Sequence, residues 1–136
     1  MDISPELKII PWSAQRVVLP NLLFVCNVNR LRSPTAEVVA RTCGLVADSV
    51  GLDKLAVVQL QEHHLRWADK VICMEFEQEY KVRCLADDFG VPVDVQTWHI
   101  PDDFEFMDPA LCALVHEKLA PFIEERNAKL RQLVPF

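Results

Sequence analysis

The sequence predicts an α/β domain, a parallel sheet with helices on both faces. Four short β-like runs, Leu22–Cys26, Val46–Val50, Lys70–Met74 and Val93–Ile100, alternate with helical patterns, which is the order βαβ units produce. The chain has 136 residues, 51% of them hydrophobic, enough to bury the core that such a sheet needs. The first run ends in a cysteine followed by a short loop and a helix start, and ligands of open parallel sheets collect at the carboxyl ends of strands.

Residues 1–20 hold three prolines and little periodicity, so they read as an N-terminal extension lying on a domain that spans 21–136, with Trp12, Ile9 and Ile10 as its apolar anchors. After the first strand, Ala36, Val39, Ala40 and Cys43 recur at helical spacing and predict a helix over Pro34–Cys43. Leu60–Trp67 is a shorter helical pattern. Glu75–Phe89 opens with acids, which suit a helix N-terminus. The last helix opens at Asp108-Pro109, an N-cap followed by proline at the first helical position. Its apolar face is Leu111, Leu114, Val115, Leu119 and Phe122, and Pro121 inside the run predicts a kink. Trp67 and Trp98 read as core. His63 and His64 read as surface residues, and Glu75, Glu77 and Glu79 as a solvated helix start.

Composition weighs against several classes. A net charge of −6 argues against non-specific nucleic-acid binding, which needs a basic face, and leaves room for an acidic ligand in one basic pocket. No apolar run approaches membrane-spanning length, and the first residues lack the basic start and apolar stretch of a secretory signal. The five cysteines, Cys26, Cys43, Cys73, Cys84 and Cys112, are odd in number and form no CxxC pair or metal-like spacing with histidine. Cys43, Cys73 and Cys112 lie in apolar surroundings. A reducing, cytoplasmic setting with no metal and no cofactor is the expectation.

The chemistry concentrates in FVCNVNRLRSPTAE, Phe24–Glu37. Asn27, Val28, Asn29, Arg30 and Leu31 make a tight strand-to-helix turn whose backbone N–H groups can converge on an anion. The following helix adds its unsatisfied N–H groups and the positive end of its dipole. Arg32 adds a fork of donors that matches two oxygens of a phosphate. Beneath a tetrahedral dianion held this way, the Cys26 thiolate is a nucleophile in line for attack. Ser33 can donate to that sulfur, and Asn29 is a residue type that tolerates a left-handed backbone. The competing reading of Cys26 is an inert buried thiol.

These residues resemble the active-site loop of low-molecular-weight protein tyrosine phosphatases, V-C-x-G-N-x-C-R-S-P-x-A-E, at Cys26, Asn29, Arg32, Ser33, Pro34, Ala36 and Glu37. Further segments come in the family's order. ADSVGL (Ala47–Leu52) is similar to its D-S-A-G, and WADKVICM (Trp67–Met74) to its F-D-x-I-x-C-M strand. HIPDDFEFMDP (His99–Pro109) resembles the loop with the catalytic acid, often D-P-[YFW]. The similarity runs from about Leu22 to Phe122, in the manner of a compact bacterial or phage-type branch. It departs at three places. Val28 stands where the family has glycine, Leu31 replaces a second loop cysteine, and Asn27 and Arg30 replace hydrophobic residues at the pocket rim. The charged Arg30 favours a more anionic substrate.

The resemblance implies a phosphate-monoester hydrolase, by family default a protein tyrosine phosphatase, working through a phosphocysteine. Its substrate would be a phosphorylated protein or a small phosphomonoester, with no nucleic-acid or membrane partner. Dephosphorylation needs a carboxylic acid for the leaving group. Asp102, Asp103 and Asp108 compete for that role. Alignment puts Asp102 at the acid; Asp103, where the family has proline, is the second candidate, and Asp108 is explained as the helix N-cap. Phe104 falls at an aromatic pocket wall. A solvated loop charge and a simple anchor are the competing readings of Asp102 and Phe104. Ser49 is implied as support for the phosphate loop. The expected architecture is a three-layer α/β/α domain with sheet order 2-1-3-4, flavodoxin-like in outline. Two rivals stand beside it. One is a thiol-dependent enzyme resembling arsenate reductases, which would need Cys73 and Cys84 as resolving thiols. The other is a module that binds phosphorylated ligands without turning them over.

Overall fold

The computed structural model describes residues 17–133, so most of the expected N-terminal extension, with Ile9, Ile10 and Trp12, lies outside the described residues. The described chain runs β1 (Asn21–Cys26), α1 (Arg32–Thr42), β2 (Val46–Gly51), α2 (Glu62–Trp67), β3 (Lys70–Cys73), α3 (Phe76–Phe89), β4 (Val95–Thr97), α4 (Pro109–Lys118) and α5 (Ala120–Leu133). The four strands pair in parallel in the order β2-β1-β3-β4, as expected.

β1 is a central strand and is apolar on both faces. Side chains alternate across a strand. Leu22, Phe24 and Cys26 therefore join Ile72, Met74, Trp98 and Ile100 against α1 and α4. Leu23 and Val25 join Val50, Val71 and Cys73 against α2 and α3. Full burial of one such Leu or Phe side chain is worth roughly 1.5–3 kcal/mol, and five consecutive buried residues, Leu22–Cys26, fix the register of β1. Phe24 and Trp98 add a tilted aromatic pair with ring centroids 5.4 Å apart. Cys73, in the second layer, is fully buried. Burial, with the nearby Glu79 charge adding to it, pushes its thiol up to about 12.

The helix ends obey local chemistry. The Asp108 side chain caps α4 by accepting the Ala110 N–H at 2.8 Å, with Pro109 in the first turn. Gly90 stops α3 at a left-handed φ of 69°. Glu75 and Gln78 form a reciprocal capping box at the start of α3.

Four expectations are corrected. Pro121 does not kink one helix: Leu119 separates α4 from α5, and proline sits in the first turn of α5, where a missing N–H costs nothing. β4 covers only part of Val93–Ile100, because His99 adopts φ 56° and breaks the strand. Trp67 ends α2 on the surface, more than a third exposed. His64 is buried, and its Nδ1 accepts the Gln61 N–H at 2.9 Å, which starts α2. Cys43 and Cys112 are half-buried, and all five cysteines are free thiols.

Candidate active site

The even-numbered row of β1 carries Cys26 to the carboxyl edge of the sheet, where the chain turns into the loop 27–31 and then into α1. The loop curls back on the sulfur. The Asn29 N–H donates to Cys26 Sγ at 3.3 Å, and Ser33 Oγ lies 2.8 Å from the same atom. Asn29 is the loop's left-handed residue, at φ 56°, and Val28 is not. Val28 therefore does not need the freedom that glycine gives this position in the family.

Buried polar groups hold this curl in place. Asn29 Nδ2 donates to Ser33 Oγ and Ser49 Oγ, both at 3.0 Å, and its Oδ1 accepts the Val58 N–H at 3.2 Å. Ser49 in turn donates to Glu37 Oε1 at 2.6 Å. From the other side Gln78, itself buried, donates to Asn27 Oδ1 at 3.2 Å. At the end of β2, a Cβ on Gly51 would meet Asn27 O at 2.7 Å and Asn29 N at 2.9 Å. Only glycine lets β2 approach the loop this closely.

Arg32, the first residue of α1, is 2% exposed. Its Nη1 donates to Glu75 Oε2 and to the Ile100 carbonyl, each at 2.8 Å. Its Nε lies 3.5 Å from Asp102 Oδ1. Leu31, at the N-cap, makes no side-chain cap, so it offers no competitor for the free N–H groups of the first helical turn. Cys26, Asn27, Val28, Leu31, Arg32 and Asp102 line one small cavity of about 40 Å³. That is room for a few waters, the scale of a small oxyanion. A separate cleft is lined by Glu75, Phe76, His99, Ile100 and Pro101, and two of these, Glu75 and Ile100, hold Arg32.

Cys26, Asn29, Arg32, Ser33, Ser49 and Asp102 thus come together. Arg30 is exposed and is not among the residues that line the cavity. Asp103 is exposed and pairs with no charged group among the described residues. Phe104, partly buried, packs against the core cluster that contains Phe24. Glu75 corrects the expectation of a solvated helix start, because it holds the buried guanidinium. Its position directly after β3, at the carboxyl edge of the sheet, was a signal for it. Gln78, three residues on, carried no such signal.

The same architecture occurs in solved phosphatases. An arginine phosphatase of Geobacillus stearothermophilus, YwlE, superposes with a TM-score of 0.58 at 19% identity, over 83% of this chain and 94% of that one. The tyrosine phosphatase Wzb of Escherichia coli, in complex with phosphate, gives 0.60 at 17% identity over 79% and 99%. SP-PTP, a low-molecular-weight protein tyrosine phosphatase of Streptococcus pyogenes, gives 0.60 at 17% over 76% and 93%. At such identities the likeness establishes the fold. No protein-family model and no curated protein sequence matches the chain.

Among the described residues, no cluster of three His, Cys, Asp or Glu side chains could hold a metal ion, and no helix is long and apolar enough to cross a membrane.

Proposed function

We propose that this chain hydrolyses phosphate monoesters, aryl phosphates such as phosphotyrosine first among them, through a phosphocysteine on Cys26. The observation that carries the reading is the convergence of the Cys26 sulfur, the Arg32 guanidinium and the Asp102 carboxyl on one cavity the size of a small oxyanion. The fold shared with tyrosine and arginine phosphatases supports it.

In the first step the Cys26 thiolate attacks phosphorus, the bond from phosphorus to the leaving oxygen breaks, and Asp102 protonates that oxygen. Arg32 and the loop N–H groups track the equatorial oxygens and stabilise their charge in the transition state. In the second step water attacks phosphorus, Asp102 takes its proton, and the sulfur leaves as a thiolate to which Ser33 donates. Asn29, Ser49 and Gln78 keep the loop curled, and Glu75 keeps Arg32 aimed.

The direct test is hydrolysis of p-nitrophenyl phosphate and of phosphotyrosyl and phosphoarginyl peptides, with and without Cys26→Ser. Turnover that the substitution abolishes, together with protection of Cys26 from iodoacetate by inorganic phosphate, supports the reading. Phosphate binding without turnover replaces it with a binding module. Preference for the phosphoarginyl peptide moves the substrate from an ester to a phosphoramidate. Loss of activity in Cys84→Ser, with Cys26 intact, favours the thiol-relay alternative.

A further inference from the structure

The segment 99–107, which carries Asp102 and Asp103, starts and ends on left-handed non-glycine residues, His99 at φ 56° and Met107 at φ 61°. Such conformations persist only where the surroundings fix them. The near end is fixed by the Ile100 N–H bonded to Met74 O at 2.9 Å and by the Arg32 contacts to Ile100 and Asp102. At the far end, the Met107 N–H donates to Thr35 Oγ1 at 2.9 Å, across 72 residues of sequence. The Glu105 carbonyl accepts the nearby Asp108 N–H at 3.1 Å, and among the described residues the Met107 bond is the one long-range hydrogen bond from positions 103–107.

The same hydroxyl donates to the Leu31 carbonyl at 2.6 Å. Leu31 is the last residue of the loop around Cys26. A threonine bonded back to the carbonyl four residues earlier is ordinary helix chemistry. The second bond, received from the segment with the acid, is not. Thr35 is fully buried, so water does not compete for either partner. The first turn of α1 therefore grips both ends of 99–107, through Arg32 and through Thr35, while it also closes the loop over the sulfur.

We propose that Thr35 is a positioning residue that couples the acid-bearing segment to the phosphate loop, so that Asp102 is held at the leaving-group oxygen when an oxyanion fills the cavity. The proposal rests on the phosphatase reading and deepens it. Thr35 touches no reacting atom. Its effect is on the proton, not on the grip of the phosphate.

Thr35→Val keeps the shape and removes the hydroxyl. With phenyl phosphate, whose leaving group needs the proton, kcat/KM is expected to fall about ten- to a hundredfold, the scale of a slightly misplaced catalytic group. With p-nitrophenyl phosphate, whose leaving group needs it far less, the fall is expected to be much smaller. Inhibition by vanadate stays unchanged, and Thr35→Ser restores phenyl phosphate turnover. If Thr35→Val does not fold, Thr35→Ala against Thr35→Ser makes the same comparison of hydroxyl lost and kept. Equal losses on both substrates with weaker vanadate inhibition would make Thr35 a prop of the phosphate loop alone and overturn the proposal. So would a wild-type-like variant. A wild-type protein inactive on both substrates overturns the phosphatase reading itself, whereas an active wild type matched by Thr35→Val overturns only the coupling.

Discussion

Cys26 and Cys73 end adjacent parallel strands, and both are buried, yet they sit in opposite chemical surroundings. Cys73 lies under α3 among Leu23, Val25, Val71 and Val82, where burial pushes its thiol up to about 12. Cys26 lies one residue past the last β1–β3 pair, at the edge of the sheet, with the Asn29 N–H and the Ser33 hydroxyl beside its sulfur and a cavity above it. Burial alone therefore makes an inert packing residue. Donors and an opening make a candidate nucleophile, and one strand position separates the two.

The same substitution at both places breaks the comparison most directly. Cys26→Ser is expected to reduce phosphatase turnover to background with no loss of fold, as read by steady-state assay and circular dichroism, since nothing replaces the nucleophile. Asp102→Asn should cost about 10²–10⁴ in kcat/KM, most with phenyl phosphate, because the general acid is gone. Arg32→Lys should cost about 10²–10³ in kcat, since an ammonium cannot serve Glu75, Ile100 and an oxyanion with one fork. Cys73→Ser should leave kcat unchanged and cost about 1–3 kcal/mol in urea unfolding, the penalty of a buried hydroxyl without a partner.

The smallest effect belongs to the packed side as well. Burial lowers the pKa of His64 below its ordinary value of 6.5, with the neighbouring His63 charge acting in the same sense. The unfolded chain then takes up the proton more readily than the folded one, so stability is lost as pH falls from about 6.5 toward the lower folded value. His64→Gln keeps an acceptor for the Gln61 N–H and should flatten stability against pH in that window, measured as thermal midpoints.

The fold was legible because its signals are local. The period of β1 and α1, the proline after Asp108 and the apolar runs each report on a few neighbouring residues. The loop around Cys26 was legible for the same reason, since nucleophile, guanidinium and serine lie within eight residues. The features that escaped act across long separations. Gln78 reaches Asn27 across 51 residues, and Met107 reaches Thr35 across 72. Glu75 looked like one acid among several at a helix start until the fold set it against Arg32. A six-residue helix is too short for its pattern to separate the inward face from the outward one, so the sequence places neither His64 nor Trp67.

The pairing of Arg32 with Glu75 also bears on product release. A guanidinium already neutralised by a carboxylate presents an incoming dianion with a weaker field than a bare cation would. On the proposed reaction, orthophosphate formed at the sulfur is held by a guanidinium whose charge Glu75 already offsets, which weakens the hold on the product.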